Sequence, residues 1–93
     1  MVYNILPYTK TRAKRLGVTI IPSVFEGKKI DIFTPDGDYI CSIGDIHYKD
    51  YPTYIKTHGK EYADFRRELY KRRHEKDRSV VGSKGWFADY LLW

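Results

Sequence analysis

The sequence predicts a small α+β fold: a β-hairpin packed on one long helix, with short flanking helices and an aromatic carboxyl-terminal clasp. Three features carry this. The stretch KEYADFRRELYKRRHEK, Lys60 to Lys76, places Tyr62, Phe65 and Leu69 at helical spacing among charges of both signs. Lys29 to Phe33 and Asp38 to Ile43 alternate around TPDG, which supplies proline early and glycine late in a tight reversal. The tail GWFADYLLW is too apolar to stay in water.

Thr9 to Leu16 reads as a short helix, capped by Thr9 or Thr11 and ended by Gly17. Val18 to Ile21 is β-branched and apolar and is a candidate third strand ending at Pro22. Glu26-Gly27-Lys28 reads as a turn. In the hairpin, Ile30 and Ile32 alternate with Asp31 and Phe33, and Tyr39, Cys41 and Ile43 alternate with Ile40 and Ser42, so one face can be buried. Cys41 then reads as a small packed strand residue. Asp50 is a good N-cap for a helix over Tyr51 to His58, with Pro52 in its first turn and Gly59 as its stop. On a helical wheel Tyr62, Phe65 and Leu69 form the core side of the long helix, with Arg66 and Arg73 at its margin. Arg73 falls where the next core residue belongs, so it snorkels, pairs with a buried acid, or projects into a partner. The tail breaks at Gly82 and Gly85 and ends in a short helix or turn whose Trp86, Phe87, Tyr90, Leu91 and Trp93 clasp the core or dock on a partner.

Ninety-three residues make one domain with little spare stability. Aromatic residues are 16% of the chain, and such rings suit both a compact core and an interface. One cysteine excludes an intramolecular disulfide and points to a reducing compartment. The opening run MVYNILPYTKTR is too short, and too soon broken by Pro7, for a signal peptide, and no stretch is apolar enough to predict a membrane span.

The net charge is +5 and unevenly spread. Residues 1 to 25 carry Lys10, Arg12, Lys14 and Arg15 and no acid, whereas residues 60 to 78 carry eight bases against five acids. Within the long helix Asp64 with Arg67, Glu68 with Lys71 and Arg72, and Lys71 with Glu75 fall at pairing distance. That leaves Arg66, Arg73, His74, Lys76 and Arg78 as its uncompensated bases. Tyr8 lies among the first basic set and Tyr70 beside the second, a pattern that suits phosphates and bases as well as a plain solvated face.

Enzymatic and metal chemistry find no support. His47, His58, His74 and Cys41 lack paired ligand spacing, and no nucleophile elbow, P-loop or dinucleotide motif occurs. Asp45 with His47 is the nearest dyad, on one face if that stretch is extended, but it has no nucleophile. No metal and no cofactor is expected.

Taken in order, GKKIDIF, DYICSIG, HYKDY, LYKRRH and GSKGWFADYLLW resemble a family of small proteins of large (nucleocytoplasmic) DNA viruses that infect eukaryotes. In that family a hairpin ends in glycine, a Y-x-D-Y/F element follows, and Y-x-x-R-H leads to G-W/F/Y and L-L-W. The matching positions here are Gly44, Tyr48, Asp50, Tyr51, Tyr70, Arg73, His74, Gly85, Trp86, Leu91, Leu92 and Trp93. Most are residues that a small core demands; Arg73 and His74 are not. The resemblance implies a viral setting rather than a mechanism. The resulting expectation is a non-enzymatic structural protein of the virion, a minor capsid or cement component present in host cytoplasm during assembly, with a major capsid protein or other virion protein as partner. The alternative partner is DNA or RNA, held by Lys10, Arg12, Lys14 and Arg15 and by the basic end of the long helix.

Overall fold

A computed structural model describes residues 3–93; the first two residues of the amino-terminal run lie outside it. The elements are α1 (Pro7–Leu16), β1 (Thr19–Pro22), β2 (Lys28–Phe33), β3 (Tyr39–Asp45), α2 (Tyr51–His58), α3 (Lys60–Arg73), α4 (Glu75–Arg78) and α5 (Lys84–Leu92). The fold is α+β. The chain forms two compact units, Met1–Tyr48 and Lys49–Trp93, so the hairpin and the long helix belong to different units.

In the first unit α1 starts two residues earlier than its threonines suggest. Pro7 opens it with a preset backbone angle, and Leu6 stands at the cap without a side-chain bond, so neither Thr9 nor Thr11 caps it. Thr9 is instead buried inside the helix with Ala13. Gly17 ends the helix at φ 74°, donating its N–H back to the helix as a left-handed cap does.

The sheet is antiparallel in the order β1-β2-β3, with the third strand where the β-branched run placed it. Pro22 is tolerated because β1 is an edge strand. Thr34 closes the hairpin, its N–H donating to Asp38 O at 2.8 Å and its carbonyl accepting from Gly37 N at 2.9 Å. Ile30 pairs with Ile43 and Ile32 with Cys41, and all four are buried.

The alternation fails at two points. An irregularity beyond Ile32 pairs Phe33 with Tyr39 and skips Ile40, which turns Tyr39 onto the other face beside Phe33, with ring centroids 5.8 Å apart. Tyr39 is therefore half exposed rather than packed with Cys41 and Ile43. The opposite face is closed to water at Asp31 and its cross-strand partner Ser42, which are both buried.

The second unit is helical. Asp50 caps α2, accepting from Thr53 N at 3.1 Å, and Gly59 at φ 89° separates α2 from α3. The helix expected over Lys60 to Lys76 breaks at His74 (φ −111°, ψ 19°), and a single turn, α4, follows. Ser83 caps α5, accepting from Trp86 N at 3.2 Å. The chain turns closely enough that a Cβ on Gly85 would stand 2.7 Å from the Asp77 backbone oxygen, so Gly85 is required for space.

The core side of α3 is not the predicted one. Ala63 and Tyr70 are buried, whereas Tyr62 is 40% and Phe65 57% exposed and Leu69 is half-buried. The two sides of the wheel differ by roughly one residue's rotation. Small Ala63 lets α2 approach, and the guanidinium groups of Arg66 and Arg67 lie over the rings of Tyr54 and Tyr51 at 5.2 and 4.0 Å. Two arginines thus do packing work that apolar residues were expected to do.

Trp93 closes this unit as a clasp. Its ring stacks on Tyr70 at 4.3 Å with planes 7° apart, and Tyr70 in turn stacks on His74 at 4.3 Å. Phe87, Leu91 and Leu92 are buried with it, while Trp86 and Tyr90 remain half-buried.

Candidate functional site

The amino-terminal basic set stands on α1. Lys10, Lys14 and Arg15 are exposed, the last two in the final turn, where positive charge suits the helix dipole. Arg12 is half-buried, its guanidinium 5.1 Å from the centre of the Tyr8 ring.

The second basic set is dispersed around its unit. Arg66 is engaged over Tyr54, and Arg78 donates to the Lys71 carbonyl at 3.3 Å and lies 4.0 Å from Asp89. Neither is the free base the charge count implied. His74 is stacked on Tyr70, with Nδ1 3.5 Å from Asp77. Arg73 and Lys76 are exposed, and Arg73 forms no ion pair among the described residues, which resolves its three readings against a buried acid.

The local charge pairs are partly as spaced and partly rerouted. Asp64 meets Arg67 at 3.7 Å and Glu68 meets Arg72 at 2.7 Å. Lys71 passes over Glu68 and Glu75 and binds Asp89 of α5 at 2.7 Å, because that carboxylate is better shielded from water. Lys60 reaches Asp64 at 2.7 Å and Tyr51 donates its hydroxyl to the same carboxylate at 2.6 Å. These bonds, Lys60 first, hold Asp64 below the ordinary carboxylate range.

At about 100° per residue the surface of α3 divides into two flanks that meet beside Phe65. Glu61, Asp64 and Glu68 lie on one flank with Lys60, Arg67, Lys71 and Arg72. Tyr62, Phe65, Arg66, Leu69 and Arg73 occupy the other, which contains no acid of its own, although Glu61, Glu68 and Arg72 stand along its Phe65 border. His58 extends this flank from α2, its ring stacked on Tyr62 at 4.8 Å with planes 21° apart. The charge mixture of the helix thus conceals a segregation that residue counts cannot reveal.

In the first unit the strongest exposed apolar feature is a patch that sequence reading missed. Val24 is 78%, Phe25 53% and Tyr39 52% exposed, with the Phe25 and Tyr39 rings 6.1 Å apart. A shallow depression adjoins it, lined by Ser23 to Lys28 with Ile46 and His47. A buried network holds this loop: the Ser23 and Ser42 hydroxyls donate to Asp31 Oδ1, each at 2.6 Å, and Val24 N donates to Oδ2 at 3.1 Å. Burial alone would raise the Asp31 pKa, but the three hydrogen bonds outweigh it and hold the carboxyl below its ordinary value. Isoleucines on both sides of Asp31 were the available signal.

No family model, curated protein or solved structure matches the chain. The chemistry of its surfaces is then the guide. Asp45 and His47 are in contact, Nδ1 to Oδ1 at 3.0 Å, but Asp45 ends β3 and His47 lies in the exposed turn after it, and His47 N donates to the same oxygen at 2.9 Å. That carboxylate is a turn former, held below its usual pKa by those two bonds. Among the described residues no three His, Cys, Asp or Glu side chains converge, and no helix is long and apolar enough to cross a membrane.

Proposed function

We propose that this protein is a non-enzymatic structural component of a virus particle, of minor capsid or cement type, which docks on a larger particle protein such as the major capsid protein. The observation that carries the reading is the exposed patch of Val24, Phe25 and Tyr39, whose loop is hydrogen-bonded to buried Asp31 through Ser23 and Val24. Apolar side chains kept in water by a hydrogen-bonded loop and its neighbouring strand suit the centre of a protein interface, and Glu26, Lys28 and His47 supply a polar rim. The viral setting comes from the ordered motifs between Lys28 and Trp93. In purified particles, mass spectrometry is expected to find the chain. Phe25→Ser is expected to weaken capture of the purified major capsid protein by on the order of tenfold or more, as loss of an interface anchor does. Absence from particles overturns this reading.

A second reading, nucleic-acid binding, is favoured by α1, where Lys10, Lys14 and Arg15 are exposed on a helix without acids. Phosphate contacts make affinity fall steeply with salt. The double reversal Lys14→Glu with Arg15→Glu is expected to reduce both the affinity for nucleic acid and its salt slope, and no binding at low salt removes the reading.

A further inference from the structure

We propose that the acid-free flank of α3 is a binding site for single-stranded nucleic acid, with exposed rings taking unstacked bases and arginines taking phosphates. The proposal rests on the nucleic-acid reading and adds to it a site and a form of ligand. Base stacking needs flat ring faces open to solvent beside positive charge, without a competing carboxylate.

The flank meets the first two requirements, and meets the third on its Arg66 and Arg73 side. Phe65 is 57% and Tyr62 40% exposed, and Tyr62 is held in place by its stack on His58 and by the Tyr54 ring at 5.6 Å. Such a ring is already ordered, so a base that stacks on it meets little further loss of freedom. Arg73 stands on the same side, exposed and without an ion pair among the described residues, and half-buried Arg66 lies between, its guanidinium carbon 5.2 Å from the centre of the Tyr54 ring. A planar guanidinium offers a phosphate two parallel donors. Asp64 and Glu68 are neutralised by Lys60, Arg67 and Arg72; Glu61 is exposed one turn before Phe65, about three turns from Arg73, so the phosphate position falls at the Arg73 end of the flank. A duplex keeps its base faces internal and offers this surface only phosphates.

The test is fluorescence anisotropy of the full chain with a labelled oligodeoxythymidine strand and with a duplex of equal length, at low and rising salt. Four variants separate the contributions. Phe65→Leu keeps apolar bulk but loses the stacking face, and Arg73→Glu reverses a flank charge. Lys60→Glu makes the same charge change at an exposed position on the far side of the helix from the rings, and Lys14→Glu with Arg15→Glu reverses α1. The single strand is expected to bind more tightly than the duplex. Phe65→Leu is expected to weaken it by on the order of tenfold, and Arg73→Glu to weaken it and lower the salt slope by about one, with a clearly smaller effect from Lys60→Glu. Both ring and arginine variants are on exposed positions and should keep the helical circular dichroism. Equal or tighter duplex binding overturns the proposal, as do flank variants without effect. Loss through the α1 reversal alone overturns the flank site while leaving the nucleic-acid reading standing. No strand binding, together with loss of capsid-protein capture in Phe65→Leu, marks the flank as a protein interface and also overturns it.

Discussion

Asp31 carries a full set of hydrogen bonds in a place where an ionised group is otherwise costly. Asn at this position has the same shape but only one acceptor oxygen. If that oxygen stays with Val24 N, the amide faces the two serine hydroxyls, which must turn to accept; Ser42 can then donate to Tyr39, 2.7 Å away. The rearrangement saves geometry but loses the charge assistance, so Asp31→Asn is expected to cost about 1–3 kcal/mol, read as a lower urea midpoint at neutral pH. An unchanged midpoint would show that the carboxylate contributes nothing net. The sequence showed an aspartate between two isoleucines, but its partners stand 8 and 11 residues away, and only the sheet register brings them together. Local pattern has no access to that information.

At the scale of elements, turn and cap chemistry was readable because it is local. Gly17, TPDG, Asp50 with Pro52, and Gly59 each act within a few residues, and each stands where its chemistry placed it. The face that α3 buries depends on α2, and there the wheel failed: the largest rings were assigned to the core, although Ala63 and two ring-stacked arginines allow closer approach. The candidate site is hidden by the same rotation, since Tyr62 and Phe65 read as core residues on the wheel and stand exposed in the fold. A pair of substitutions tests this orientation. Ala63→Leu adds bulk at a position with no exposure and is expected to cost about 1–3 kcal/mol or more, whereas Phe65→Ser removes a large ring and should change stability by only about 0.5 kcal/mol. Thermal unfolding of the two variants checks the order; the reverse order restores the original wheel.

Over the whole molecule, charge divides as the two units do. Residues 1–48 hold six bases against five acids and residues 49–93 eleven against seven, so most of the +5 belongs to the helical unit that carries the acid-free flank. The pH range of stability is bounded from both units. Asp31 lies below its ordinary pKa, so its contribution is complete above the usual carboxylate range and is lost as pH falls through the lower folded value. Tyr70 has the opposite sign. Burial first, then the carboxylates of Asp89 and Asp77, push its pKa to about 12, against the partial opposition of Arg73 and Arg78. The neutral ring is the form that packs between Trp93 and His74, so its contribution is complete below the ordinary tyrosine value of 10.0 and disappears as pH rises toward about 12. Tyr51, raised by burial and by its bond to Asp64, adds in the same direction. Tyr70→Phe keeps the stack and removes the ionisation, and it is therefore expected to move alkaline unfolding to higher pH. Both tryptophans, Trp86 and Trp93, belong to this unit, so tryptophan fluorescence between pH 10 and 12 follows it directly. An alkaline midpoint that does not move in Tyr70→Phe would mean that the ring ionises only after the unit has opened.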